Sequence, residues 1–336
     1  MLFLFSGGGK TKEQKFGIEI ELTGLTRAKA ADIVAEYFGT EVYHVGGAYD
    51  PYIVSDDQNR KWKIARDGSI RCADRNGNSL NSECSVEFVS PICVYDDIKT
   101  IQQLVRNLRA GGAVTNSSCG IHIHINGAPY DAKSLRNLTN IMNSKENLIY
   151  KALQVNVSRE HRYCQKVDQH FLEELNRRKP KSIDAVQKIW YGGDDGSHEH
   201  YHESRYHCLN LHSLFSKGTI EFRLFNSTTH AGKIKAYIQL CLAISNQALT
   251  QKCASRRVTE SSNEKYTFRT WLLRLGMIGD EFKTARQHLL KNLDGCIAWK
   301  DPQQAVLQRE RLAENRMRQE EDSCEETESE GMTMSM

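Results

Sequence analysis

Apolar residues alternate with charged ones in four short segments of the chain, and this period of two marks strands that turn one face toward a core. In Phe16-Gly-Ile-Glu-Ile-Glu-Leu22, residues Phe16, Ile18, Ile20 and Leu22 fall on one side, and Glu19 and Glu21 on the other. In 83–89, Cys84, Val86 and Phe88 oppose Glu83, Ser85 and Glu87. In 120–125, Ile121, Ile123 and Ile125 oppose His122 and His124; in 219–224, Ile220, Phe222 and Leu224 oppose Glu221 and Arg223. Elsewhere the period lengthens to that of a helix, over about 27–38, 97–110, 131–153, 182–190, 231–250, 266–275 and 280–293. Thr26 and Asp96 stand where caps of the first two helices belong, with Gly39 and Gly111-Gly112 at their ends.

Strands and helices are mixed in order, and no internal repeat is present. Residues 206–215 and 219–225 read as a hairpin around Ser216-Lys217-Gly218. The expectation is an α+β fold with a curved, largely antiparallel sheet flanked by helices. Residues 40–60 and 192–204, rich in Gly, Asp, His and Tyr without sustained periodicity, read as surface loops. The chain divides into an N-terminal extension over 1–15, a catalytic body over 16–300, and a segment over 301–336 that is helical and then disordered. From about 319 that segment is charged and almost without aliphatic residues, a composition that cannot bury a core.

The 336 residues are 39% hydrophobic and 26% charged, with a mean hydropathy of −0.56. No run approaches the roughly 20 apolar residues of a spanning helix, so the expected protein is soluble, cytoplasmic and without a membrane partner. The net charge of +3 makes no case for nucleic acid. Residues 302–336 hold nine acids against four arginines, which leaves the rest of the chain at +8, a sign suited to an anionic small substrate. Ten cysteines lie scattered without a C-x-x-C pair and read as reduced thiols.

Taken singly, each alternating strand is also what a half-solvated sheet would show. Together their polar faces hold Glu and His almost to the exclusion of other residues, whereas solvated faces are mixed. Within one strand, Glu19 and Glu21 stand about 7 Å apart at Cα. If the four strands share a sheet, carboxylates and imidazoles converge and need cations to offset their repulsion. Carboxylate-rich sets favour Mg²⁺ or Mn²⁺, with a histidine completing a site, although His122-x-His124 leaves zinc open. Arg223, with Arg205, would clamp a phosphate or carboxylate in bidentate fashion. Metal, arginine and phosphate together point to phosphoryl-transfer chemistry.

The series Gly17-Ile-Glu-Ile-Glu21, Asp67-Gly-Ser69, Glu83-x-x-x-Glu87, Gly120-Ile-His-Ile-His124, Arg205-Tyr-x-x-Leu-Asn210 and Gly218-Thr-Ile-Glu-Phe-Arg223 resembles the amidoligase family. That family falls in the carboxylate–amine ligase superfamily with glutamine synthetase and glutamate–cysteine ligase. The resemblance runs in order over about 15–250. It implies a sheet curved into a partial barrel of the glutamine synthetase catalytic type. It further implies that ATP phosphorylates a carboxylate and that an amine displaces the phosphate to form an amide, on small-molecule or peptide substrates. Carried onto this chain, Glu19, Glu21, Glu83, Glu87 and Glu221 would hold Mg²⁺ or Mn²⁺, and His122 or His124 would contact metal or nucleotide phosphate. Arg223 would contact phosphate, Arg205 would be a second such arginine, and Asp67 and Ser69 would lie on the substrate side. The loops at 40–60 and 156–204 have no counterpart in these motifs.

An acyl phosphate must be shielded from water, so a lid is expected, with the loop Gly192–His202 as the candidate. Its alternate histidines could bind metal, though a plain surface stretch is the commoner arrangement. Two other readings use the same residues: a metal-dependent amide hydrolase that needs no ATP, and a metal-stabilised binding module without catalysis. A thiol mechanism through Cys119 and His122 lacks an orienting environment for the thiol.

Overall fold

A computed structural model describes residues 11–301, 303–304 and 306–317. The described residues of Met1–Thr259 and Leu272–Asn292 form one compact unit, and those of Glu260–Trp271 and Leu293–Met336 a second. Most of the N-terminal extension and the acidic segment from about 319 lie outside the described residues.

The first unit is built on an eight-stranded sheet. Its strands are β1 (Phe16–Leu22), β2 (Val42–His44), β3 (Tyr52–Ser55), β4 (Lys61–Ala65), β5 (Val86–Val89), β6 (Gly120–Asn126), β7 (Leu209–Asn210) and β8 (Thr219–Asn226). They lie in the order β2-β3-β4-β5-β1-β6-β8-β7, and every pairing is antiparallel. The sheet is not closed: β2 and β7 are its edges. The α+β class and the antiparallel sheet therefore stand.

The alternation read from the sequence is what builds the core. Phe16, Ile18, Ile20 and Leu22 of β1 are buried together with Val86, Phe88, Ile121, Ile123, Ile125, Ile220 and Phe222 of its neighbours. Trp62 of β4 stacks on Phe88 with ring centroids 5.6 Å apart. Helices α1 (Arg27–Phe38), α2 (Ile98–Ala110) and α8 (Ala231–Thr250) pack with this layer. Thr26 accepts a hydrogen bond from the Lys29 amide, and Gly39 ends α1 in the left-handed conformation, as expected of a cap and a terminator. Asp96 is not the cap of α2; a 3-10 turn over Tyr95–Asp97 precedes that helix, and Asp97 accepts from the Val94 amide.

Helix α3 (Ala132–Leu153) buries a polar stripe as well as an apolar one. The amides of Asn137, Asn140 and Asn143 donate to the carbonyls of Gln251, Ala254 and Arg256 at 2.8, 3.0 and 2.7 Å, which pins the extended segment after α8. Those contacts satisfy backbone groups that no sheet pairs.

Three expectations are corrected. Residues 40–60 are not plain loop, because β2 and β3 form there and extend the sheet past β4. The hairpin arm over 206–215 reduces to the two-residue β7 followed by helix α7 (His212–Lys217), which Gly218 ends with a left-handed turn. The strand expected over 83–89 starts at Val86; Ser82–Cys84 is a 3-10 turn capped by Asn81. Three further short helices, α4 (Val157–Arg162), α5 (Gln169–Arg178) and α6 (Ile183–Trp190), lie between α3 and β7; only α6 was expected.

In the second unit, the Asn263 amide donates to the Trp299 carbonyl at 2.7 Å, and the Trp299 indole donates to Gln308 at 2.8 Å. No helix of the described residues is long and apolar enough to cross a membrane.

Candidate active site

The sheet register brings the polar faces of β5, β1, β6 and β8 side by side. Glu21 lies opposite Glu87, Glu19 opposite His122, and His124 opposite Glu221. A bulge between Ile121 and Ile123 locally resets the β6–β8 pairing. Bulges re-aim side chains next to sites, and here Arg223 stays on the polar face.

At the centre stands His122, buried, with Nδ1 3.1 Å from Glu19 Oε2 and 3.6 Å from Glu221 Oε1, and with Nε2 3.6 Å from Glu21 Oε1. His124 Nε2 lies 3.3 Å from Glu19 Oε1, while its Nδ1 pairs with the Thr219 hydroxyl at 3.0 Å. Arg223 Nη1 donates to Glu221 Oε1, and Asn210 Nδ2 donates to Oε2 of the same carboxylate at 2.7 Å. Glu21 accepts the Gly120 amide at 2.5 Å. Second partners of this kind fix the orientation of ligating groups.

The electrostatics follow from burying so many ionisable groups together. Burial opposes the charge on Glu19, but the attraction of His124 and a hydrogen bond from His122 outweigh it and hold the carboxyl well below its ordinary range. Glu221 is likewise opposed by burial and held low chiefly by Arg223. Burial disfavours the His124 imidazolium, yet the Glu19 charge draws its pKa above the ordinary value. Glu87 has the reverse fate: burial, then the charges of Glu19, Asp67 and Glu21, push its carboxyl well up.

Glu19, His124 and Glu221 each offer a ligand atom within 4.8 Å of the others, a metal-sized arrangement. The buried Nε2 of His124 has no hydrogen-bond partner among the described residues. A buried imidazole nitrogen without a hydrogen bond, between two carboxylates, fits a divalent cation.

Three cavities adjoin this cluster. One of about 320 Å³ is lined by Glu19, Glu21, Glu87, Asp67, Arg205 and Arg223, among others. A second, of about 420 Å³, reaches Glu19, His124, Lys15 and Lys217 beside the apolar Pro91 and Ile92. The third, of about 330 Å³, reaches Glu221, Arg205, His198, His200, His212 and Lys217. Tyr49 and Tyr201 bring the loops after β2 and α6 together over the first, with their hydroxyls 3.2 Å apart. Arg27 stiffens one of those loops by donating to Asp50 through Nε and Nη2 at 3.0 and 2.6 Å.

The structure thus brings together Glu19, Glu21, Glu87, His122, His124, Glu221 and Arg223. Arg205 stands beside them, its guanidinium 5.6 Å from the Tyr201 ring and 5.7 Å from the Tyr206 ring. Asp67 lines the first cavity and accepts the Ser69 amide and hydroxyl at 2.6 Å each. The structure does not bring Glu83 to the polar face; it is exposed in the 3-10 turn before β5, near Asn81. Cys119 is buried, and burial pushes its thiol up to about 11, which disfavours the thiolate.

A family model described as "Putative amidoligase enzyme" matches residues 12–245, about two thirds of the chain and all eight strands. The chain belongs to the amidoligase family. A search of curated proteins finds no match. Among solved structures, the chain is similar to a bifunctional glutathione synthetase from Pasteurella multocida, at 11% identity and a TM-score of 0.40. The similarity covers 85% of this chain and 49% of that one, so the chain spans about half the length of the synthetase it matches.

Asn210 and Arg159 are among the residues of this amidoligase's site that were not singled out from the sequence. Asn210, which orients Glu221, had a signal, because it closes the Arg205-Tyr-x-x-Leu-Asn210 motif. Arg159, on α4, lines the first cavity and had none, since it lies in a stretch without recognisable motifs.

Proposed function

We propose that this amidoligase forms an amide bond between a carboxylate and an amine at the expense of ATP, with Mg²⁺ or Mn²⁺, through an acyl phosphate. The observation that supports the reading is the joint presence of the Glu19–His124–Glu221 group and the Arg223 guanidinium on Glu221. A carboxylate and ATP are both anions, so a site for their reaction must first offset their repulsion. Glu19, His124 and Glu221 would hold the metal, with Glu21, Glu87 and His122 around them. The bound metal would supply charge neutralisation for the transferring phosphoryl group.

The protein's own groups would do the rest. Arg223 and Arg205 bind oxyanions and keep them in register, as planar forks aimed at developing negative charge do. Asp67, on the wall of the first cavity, attracts the ammonium form of the amine. The raised basicity of Glu87 suits it to take the proton that the amine loses as it attacks. Tyr49 and Tyr201 keep water from the acyl phosphate by joining their loops. The sheet, in this reading, is of the glutamine synthetase catalytic type, with the reaction on its polar face.

Calorimetric titration of Mg-ATP into the full chain tests the nucleotide directly. Binding that depends on the divalent ion supports the reading. Absence of ATP binding, together with metal-dependent amide cleavage, would replace the ligase with a hydrolase.

A further inference from the structure

Arg159 is 2% exposed, and its Nε and Nη2 have no hydrogen-bond partner among the described residues. Only Nη1 reaches an acceptor, the Ser118 carbonyl at 3.5 Å. Nε and Nη2 form one edge of the guanidinium, the edge that matches two oxygens of a carboxylate or phosphate. A buried cation with that edge free is costly, so such groups are ordinarily paired.

The position of this guanidinium is built in. A Cβ on Gly120 would fall 2.1 Å from Arg159 Nη2 and 2.6 Å from Cζ, so the side chain lies in a space that only glycine leaves. Asn156 caps α4 and its amide donates to Asn226 at the end of β8, which fixes the helix against the sheet. The ring of Tyr163 lies 5.9 Å from Arg159 Cζ, and the carbonyl of Tyr163 accepts from Arg223 Nε at 3.3 Å. Arg159 and Arg223 thereby flank one residue on the wall of the cavity that also holds Arg205, Glu19 and Asp67.

We infer that Arg159 is an oxyanion-binding residue of the first cavity, given room by the absence of a Cβ at Gly120, and that its free Nε–Nη2 edge receives a carboxylate or phosphate group during the reaction. The inference rests on the ligase reading for the identity of the reaction, but not for the anion site itself. It also gives the glycine that opens the Gly120-Ile-His-Ile-His124 strand a role that the metal ligands do not need. The oxyanion has two sources in the proposed reaction: the transferring phosphate of the nucleotide, or the carboxylate of the acid and the acyl phosphate made from it.

Inorganic phosphate and Mg-ATP, titrated separately by calorimetry into the full chain, distinguish these sources. Arg159→Met keeps an unbranched apolar stem and removes the fork; Gly120→Ala keeps the fork and displaces it. Both should weaken phosphate binding, Arg159→Met by about 10-fold or more, the loss expected for hydrogen bonds to a charged group. Mn²⁺ affinity, read by electron paramagnetic resonance, should stay within about 2-fold of the parent, which shows that the fold and the carboxylate cluster survive. A parallel loss of Mg-ATP affinity assigns the edge to the nucleotide's phosphate, and an unchanged Mg-ATP affinity assigns it to the acid. Failure of the parent to bind phosphate at millimolar concentration, or phosphate binding by Arg159→Met equal to the parent's, overturns the inference. If phosphate binding follows the inference while the parent fails to bind Mg-ATP, the ligase reading falls and the anion site stands.

Discussion

His124 Nε2 stands 3.3 Å from Glu19 Oε1 on the adjacent strand, close enough for an ion pair, yet it makes no hydrogen bond. The other nitrogen of the same ring is committed to Thr219. An imidazole oriented on one side and left open on the other, beside two carboxylates, has the geometry of a ligand waiting for a cation.

That arrangement sets the proton balance of metal binding. His124 is held above its ordinary value of 6.5 by Glu19, and Glu87 well above 4.5 by burial and neighbouring charges. Both hold their protons to higher pH than the free groups do, and a ligating His must lose its own. Titration of Mn²⁺ in two buffers of different ionisation heat should therefore show proton release, with affinity rising as pH increases from about 6 to 8. Binding without release, or with affinity falling over that range, would contradict these assignments.

Glu19→Gln and Glu221→Gln preserve shape while removing a charge from the ligand set. Each should weaken Mg²⁺ binding by at least about 10-fold and abolish nucleotide turnover, with little change in the far-ultraviolet circular dichroism. Parent-like metal binding in both variants would show that the polar faces do not form a metal site.

A third expectation concerns stability rather than chemistry. Glu146 on α3 is buried and accepts the Val167 amide at 3.0 Å, and burial pushes its carboxyl up to about 7 from 4.5. The folded chain then holds a proton that the unfolded chain loses between those values, so stability declines as pH rises through about 4.5–7. Glu146→Gln should remove that decline, on the order of 1–3 kcal/mol, in urea unfolding at pH 5 and pH 8. An unchanged pH slope would contradict the raised carboxyl.

What was legible in the sequence was the part governed by strand periodicity. Glu19, Glu21, Glu87, His122, His124, Glu221 and Arg223 each sit at a position where side-chain alternation is strict, and the register does the rest. Glu83 was misplaced because Asn81 caps a 3-10 turn just before the strand, which breaks the alternation two residues early. Strands β2 and β3 escaped because Gly46-Gly47 and Asp50-Pro51 interrupt short segments at the sheet edge. Helix α7 was read as strand because six residues are too few for a helical period to declare itself. Arg159 had no local pattern to reveal it; its role depends on the absence of a Cβ at Gly120, 39 positions away in the chain.

Stoichiometric ADP release is the most direct test of the ligase account. A ligase makes the acyl phosphate only with its acid bound and consumes it productively only when an amine attacks. ADP release from Mg-ATP should therefore be slow alone and accelerate when mixed pools of carboxylic acids and amines are both supplied, with one new amide per ADP by mass spectrometry. Arg223→Lys retains the charge but loses the fork, and should lower the stimulated rate by about 10²-fold. Amide cleavage that requires Mg²⁺ or Zn²⁺ but is indifferent to ATP, with no ADP formed in the presence of both pools, would contradict the account.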